Sequence, residues 1–443
     1  MKKILVVLMA LVFVAAGVFG ILTLGGKAGD PKEATQTTEA VDGSKTDGKN
    51  AVGDSQDTED NDAGKTDDGG SISSDVSGGE NSKGTSETDS APYTGTSELV
   101  EKTLADMSLY EKICQMMYVT PEKITGIGVA TAAGETTKQA LEKYPVGGIV
   151  YFAQNLESKD QVKEMISNSQ SYSKIGLFIS TDEEGGIVNR LMDTVGTTYI
   201  DSMYNYKDEG TQKAYDNAHT IASDMAALGF NMDFAPVADV WSNPDNTVIG
   251  ERAYSDDYAQ AAELVGSAVK GFRDGGVICT LKHFPGHGDT AEDSHYSSAY
   301  VKRTKDEIMK DEMQPFTAGI DAGAEFVMVG HLIVPDIDEV PATLSYKIVT
   351  EMLRGDLGFD GLVITDSMMM SAINDNYTVA DAVTKAVKAG DDMILEPADL
   401  DAAVTALEDA VKNGDITEDR IDESVRRILT LKEKQGLLSQ SRE

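Results

Sequence analysis

Three of the five histidines in this 443-residue chain fall within thirteen positions. The segment reads Lys282-His283-Phe284-Pro285-Gly286-His287-Gly288-Asp289-Thr290 and runs on to Asp293-Ser294-His295. Imidazoles, an ammonium and carboxylates at this density suit proton transfer, metal ligation or the binding of sugar hydroxyls or phosphate. Asp293 and His295 are two positions apart, so on extended backbone they share a face. A carboxylate beside an imidazole fixes its tautomer and raises its basicity. His283, His287 and Asp289 offer a competing reading as metal ligands. Gly286-His287-Gly288 does not fit a phosphate loop, because no Gly-Lys-Ser/Thr follows it.

Other chemistry-bearing residues lie at the ends of short apolar runs. Leu362-Val363-Ile364-Thr365 ends in Asp366, placed as a carboxylate nucleophile would be, although a lone Asp after a strand also serves as a helix N-cap. Phe178-Ile179-Ser180-Thr181 ends in Asp182-Glu183-Glu184-Gly185-Gly186, with Arg190 following. A carboxylate and a guanidinium together suit vicinal sugar hydroxyls, since one accepts and the other donates in a fork. Arg252, in Ile249-Gly250-Glu251-Arg252, adds a second cation. The Met368-Met369-Met370 triplet reads as packing or as a flexible apolar wall.

These positions require a scaffold that brings many strand ends to one rim. From about Ser97 the chain alternates short apolar runs with amphipathic helical stretches. Eight runs read as strands: Cys114–Val119, Gly148–Phe152, Leu177–Thr181, Met232–Ala235, Val277–His283, Phe326–Gly330, Leu362–Thr365 and Asp392–Leu395. The first is ambiguous, because Leu109–Tyr118 also fits a helix. Helical patterns include Thr211–Leu228, Tyr258–Asp274, Lys305–Ala322 and Val379–Ala389, with a charged amphipathic helix over Thr417–Lys434. Eight alternations predict an α/β fold, a (β/α)8 TIM-like barrel, whose chemistry sits at the C-terminal ends of its strands. Residues 98–443 form the single catalytic domain in this reading.

Residues 1–26 and 27–97 have different compositions. Lys2-Lys3 precede an uncharged apolar run from Ile4 to Leu24, 21 residues long. That length spans a hydrocarbon core of about 30 Å as a helix. The expectation is an exported chain held by an uncleaved signal-anchor, with a cleaved signal peptide as the alternative. Lys27 to Ser97 holds 16 acidic and 6 basic residues and almost no large apolar ones. Such a segment cannot offset its ordering entropy by burial, and reads as a disordered, self-repelling tether. The formal net charge of −37 disfavours nucleic acid and anionic membrane surfaces as partners. Cys114 and Cys279 both fall in apolar runs and read as two free buried thiols, with a disulfide as the alternative in an exported protein, and without zinc-type spacing.

Taken together these segments resemble glycoside hydrolase family 3, and within it the β-N-acetylhexosaminidase branch. The resemblance rests on Thr181–Arg190, Phe234-Ala235-Pro236-Val237-Ala238-Asp239-Val240, Ile249–Arg252, Lys282–Thr290, Asp293-Ser294-His295 and Gly358–Ser367, and covers roughly Ser97 to Leu437. It implies a (β/α)8-type barrel and a retaining mechanism, with no cofactor or metal. On the matching positions it implies Asp366 as nucleophile, His295 as acid/base and Asp293 as the carboxylate that orients it. It implies Asp182, Arg190, Arg252, Lys282 and His283 as ligands of a terminal N-acetylglucosamine. The resemblance is to the single-domain members, so no second α/β-sandwich domain is expected. The expected activity is exo-β-N-acetylhexosaminidase action on muropeptide-like or chitin-like oligosaccharides, by a monomer. Four alternatives stay open: a β-glucosidase or β-xylosidase of the same fold, a phosphorolytic variant, a metal-dependent hydrolase, and a non-catalytic carbohydrate-binding protein.

Overall fold

The structure, a computed structural model, describes residues 96–291, 293 and 298–438. The expected apolar N-terminal segment, nearly all of the acidic tract, and His295 lie outside the described residues. Among the described residues no helix is long and apolar enough to cross a membrane.

Apolar runs become short strands, all buried along their length except β6, whose Tyr300 is exposed. They are β1 (Met117–Val119), β2 (Gly148–Val150), β3 (Phe178–Thr181), β4 (Met232–Asp233), β5 (Thr280–Phe284), β6 (Ala299–Tyr300), β7 (Phe326–Val329), β8 (Leu332–Ile333), β9 (Leu362–Thr365) and β10 (Ile394–Leu395). Every residue of β3, β7 and β9 is buried. Strands covered on both faces in parallel sheets read as continuous apolar runs, which is why they are visible in sequence.

One parallel ladder runs β10-β1-β2-β3-β4 and another β5-β7-β9. Parallel bridges Met232–Ile278 and Val237–Lys282 join the β4 segment to that of β5, and Ile364–Met393 joins β9 to the β10 segment. The ladders therefore close into a ring of eight parallel strands. β6 and β8 form a separate two-stranded parallel ladder. The barrel core is aromatic: Tyr118 meets Phe234 and Phe178 meets Phe326, each pair 5.5 Å between ring centroids.

All eight expected strands are present, with two local corrections. Leu109–Gln115 is a helix, opened by a capping box between Ser108 and Glu111, and only Met117–Val119 is strand. Cys114 therefore sits on a helix rather than a strand. The capping box satisfies the helix N-terminus reciprocally, which outweighs the β-like composition of the run. The expected helix Lys305–Ala322 is two helices, Lys305–Lys310 and Met313–Asp321. Pro315 explains the break, because its ring lacks an N–H and clashes with the carbonyl four residues earlier, that of Asp311. Cys114 and Cys279 are both free and buried.

Candidate active site

The C-terminal end of β5 supplies the first cations. The Lys282-His283 peptide bond within β5 and the Phe284-Pro285 bond at its end are both cis. Gly286 has φ of 119°, a left-handed conformation that side chains other than glycine rarely adopt. Gly288 packs so closely that a Cβ there would lie 1.6 Å from the Val240 carbonyl oxygen. Two side chains from the preceding β4 segment clamp this loop. Asp239 Oδ2 accepts from the His283 backbone N–H at 3.1 Å and its Oδ1 from the His287 N–H at 2.6 Å. Asn246 Nδ2 donates to the His287 carbonyl at 2.7 Å. The His283 imidazole also meets Asp239, with Nδ1 2.7 Å from Oδ2. Burial alone would raise the Asp239 pKa, but the charge and hydrogen bonding of His283 outweigh it and hold the carboxyl below its ordinary range.

The end of β3 supplies the anionic half. Lys282 Nζ stands 2.9 Å from Asp182 Oδ1 and 2.6 Å from Glu184 Oε1. Glu184 also takes a forked pair of bonds from Arg252, at 2.8 Å from Nε and 2.8 Å from Nη2. Arg190 Nη2 lies 3.9 Å from Asp182 Oδ2. Burial opposes the charged form of both Glu184 and Lys282, yet their partners win. Arg252 and Lys282 hold Glu184 well below the usual carboxylate range, while Asp182 and Glu184 keep the Lys282 pKa above its ordinary value. Glu183, the middle residue of the acidic triplet, turns away. Its carboxylate accepts from the backbone N–H groups of Arg190, Leu191 and Met192, capping the helix Leu191–Val195 that follows Arg190.

β9 ends at Asp366, whose backbone N–H donates to the Val329 carbonyl at 2.9 Å, and whose Oδ1 accepts from the Ser367 N–H at 2.7 Å. His331, at the end of β7, places Nε2 2.9 Å from the Ser367 carbonyl oxygen and Nδ1 2.6 Å from Thr343 Oγ1. It thus braces the turn that carries Asp366.

A cavity of about 470 Å³ is lined by Asp182, Arg190, Arg252, Lys282, His283 and Asp366 together, with Phe152, Phe234 and Met328 among its apolar walls. Six of the eight residues singled out in the sequence therefore converge on one space. That volume suits a small ligand held in a pocket with a few convergent polar groups. Arg252 contributes with restricted freedom, since Nε, Nη1 and Nη2 already donate to Glu184 and the Val248 carbonyl. Asp293 is half-buried on the loop after Thr290, and its expected partner His295 lies outside the described residues. Of the Met triplet, Met369 and Met370 line the cavity and Met368 is buried behind it.

His287 does not join the cavity. It is 2% exposed and its Nδ1 meets Thr290 Oγ1 at 2.7 Å. Burial, followed by the charge of His283, lowers its pKa and so disfavours its charged form. Among the described residues no group of three or more His, Cys, Asp or Glu side chains could hold a metal ion. Sequence reading missed two contributors. Glu184 was grouped with its neighbours although it alone bridges Arg252 and Lys282. Glu396, directly after β10, lines the cavity and passed unnoticed although it too is a polar residue at a strand end.

Residues 108–431 match the glycosyl hydrolase family 3 N-terminal domain. This chain belongs to glycosyl hydrolase family 3. The family 3 chain is 33% identical over 326 residues to beta-hexosaminidase A of Pseudoalteromonas piscicida, covering 67% of this chain and 54% of that protein. It is 34% identical over 337 residues to beta-hexosaminidase LpqI of Mycobacterium tuberculosis, covering 74% of this chain and 83% of that one. Among solved structures it is similar to a family 3 beta-N-acetylglucosaminidase from Paenibacillus sp., with 37% identity and a TM-score of 0.71 over 76% of this chain and 64% of that one. The barrel and its loaded rim are thus those of a glycoside hydrolase.

Proposed function

We propose that this glycoside hydrolase is a retaining exo-β-N-acetylhexosaminidase, releasing terminal N-acetylglucosamine from muropeptide-like or chitin-like oligosaccharides as an exported monomer. The relatives named beta-hexosaminidase and the solved beta-N-acetylglucosaminidase support the N-acetylamino sugar as the substrate class. The observation that carries the reading is the sharing of one cavity by Asp366 and the hydroxyl-binding set Asp182, Arg190, Lys282 and His283.

In this reading the terminal sugar lies with C1 against Asp366. The carboxylate attacks C1, the glycosidic C–O bond breaks, and the leaving oxygen takes a proton from His295. Water then attacks C1 of the glycosyl-Asp intermediate, His295 removes its proton, and Asp366 is released. Asp293 orients His295 and stabilises its protonated form. An imidazole with an ordinary pKa of ~6.5 suits both halves of the cycle near neutral pH. Asp182, Arg190, Lys282 and His283 bind the hydroxyls, and Arg252 acts with Glu184 to hold Lys282 in place. Ile4–Leu24 and the acidic tract would hold the domain at the outer face of the cytoplasmic membrane.

The test is a panel of aryl β-glycosides, with and without phosphate. The N-acetylglucosaminide should be cleaved preferentially, EDTA should have no effect, and Asp366→Ala should lower kcat by on the order of 10³-fold or more. Full activity in that variant would sink the nucleophile assignment. Preference for the glucoside would favour a β-glucosidase, and a sugar phosphate product would favour phosphorolysis. Recovery of the full chain in washed membranes, with residues 4–24 retained, checks the anchor.

A further inference from the structure

Glu396 is the exception in the described backbone: it is the one residue other than glycine there with positive φ, at 47°. Left-handed backbone is unfavourable for an ordinary side chain, and such outliers gather where a site needs them. The residue follows β10 directly, and its backbone N–H is held by the Tyr118 carbonyl at 2.8 Å. The side chain lies in the wall of the active-site cavity, near Asp366 and Asp182. It also lines a second space of about 420 Å³, which runs along Thr120, Glu122, Lys123, Phe152 and Gln154. Phe152 and Met369 border both spaces as well, so the two adjoin at Glu396.

The strand order says which part of a sugar meets this wall. Around the ring, β9 with Asp366 is followed by β10 with Glu396, then β1, β2 and β3 with Asp182. On the other side, β7 and β5 with Lys282-His283 lead back to β3 through β4. Across a pyranose, C4 is opposite C1. Taking C1 at Asp366 and the C3 and C4 hydroxyls on the hydroxyl-binding set proposed above, the C4 hydroxyl goes to Asp182, opposite β9, and the C3 hydroxyl to Lys282 and His283 on β5. The C2–C3 edge then faces β5 and β7. The O5–C5 edge, which carries C6, faces β10, β1 and β2.

We propose that Glu396 hydrogen-bonds the C6 hydroxymethyl group of the terminal sugar, and that the groove beyond it admits a substituent carried on O6. This rests on the proposed function above, with C1 at Asp366 and the C3 and C4 hydroxyls at Asp182, Lys282 and His283. The groove is polar enough for such a group. Thr120, Glu122, Lys123 and Gln154 line it, so it presents hydroxyl, amide and charged side chains. Burial and the neighbouring Asp182 and Asp366 charges raise the Glu396 pKa, although Ser367 opposes this by hydrogen bonding. A carboxyl oxygen accepts from a hydroxyl whether or not the group is protonated.

The experiment compares an aryl β-N-acetylglucosaminide with its 6-deoxy and 6-O-acetyl counterparts, on wild type, Glu396→Ala and Glu396→Gly. Glycine suits the positive φ, so that variant guards against a folding artefact. Expected is a loss of about tenfold or more in kcat/KM on the parent glycoside in both variants, with the 6-deoxy substrate changed by less than about threefold. Wild type should cleave the 6-O-acetyl substrate within about tenfold of the parent. Equal losses on parent and 6-deoxy substrates would overturn the contact, and a hundredfold or greater rejection of the 6-O-acetyl substrate would overturn the groove. Should wild type prefer glucosides, the substrate reading fails, and the same comparison in the glucose series still decides the role of Glu396.

Discussion

Glu184 shows why the active-site cations need more than their sugar ligands. It is fully buried, as is Lys282, and Arg252 is 9% exposed. Charges removed from water persist only when closely paired. Removing the carboxylate strips Arg252 of its forked partner and leaves Lys282 with Asp182 alone in a low-dielectric pocket. Glu184→Gln should therefore cost about 3–5 kcal/mol of stability, read from denaturant midpoints. The pH dependence has a definite sign. Because the folded-state pKa is depressed, this contribution is complete above the unfolded carboxyl value of ~4.3 and is lost as pH falls below it. Wild type and variant should thus converge in stability under acid conditions. A constant difference from pH 7 down to pH 3 would contradict the ion-pair account.

At the scale of elements, the loop after β5 is held by its neighbours rather than by its own sequence. Asp239 and Asn246 hold its backbone, and Gly288 lies against Val240 with no room for a methyl group. Gly288→Ala must push the loop away from the barrel, and His283 moves with it. Misplacing a catalytic group by about 1 Å costs on the order of 10²-fold in rate. The variant should show a fall of that order in kcat/KM with its near-UV and far-UV circular dichroism retained. Near-normal activity would mean that the loop adapts without moving the site. Helix ends follow simpler rules. Thr417, Thr304 and Asp257 each cap the helix that follows through the side chain, as their residue types predict.

At the scale of the whole molecule, the C-terminal helix Glu418–Lys434 packs against the barrel by an unusual route. Lys432 is fully buried, with Nζ 2.7 Å from Gln115 Oε1 and 5.1 Å from the centre of the Phe178 ring. Burial drives its pKa well below the ordinary lysine value. A depressed lysine pKa means that the unfolded chain binds the proton more readily. The resulting stability is therefore present above the unfolded value of ~10.4 and is lost as pH falls below it. Unfolding free energy should rise from pH 7 toward pH 10 by an increment missing in Lys432→Met. Parallel pH profiles for the two proteins would refute a neutral buried amine. On the same helix, Arg427 Nη1 lies 3.3 Å from buried Asp392, which Arg354 Nη2 also meets at 2.6 Å. These pairs tie the helix to the segment leading into β10.

The sequence by itself determined the barrel and most of its rim. Eight apolar runs alternate with helical patterns, and strands buried on both faces leave a strong local signal. Asp182, Arg190, Lys282, His283 and Asp366 were legible because each stands at or just beyond a strand end. Tertiary structure decided which neighbour in a run faces inward. In Asp182-Glu183-Glu184 the first lines the cavity, the second caps a helix and the third bridges two cations, although composition makes them nearly equivalent. His287 went to the core while His283 went to the cavity, for the same reason. Glu396 escaped notice because its importance comes from closure of the ring, which brings β10 beside β1 and β9. That contact joins residues nearly three hundred positions apart, and local residue patterns carry no record of it.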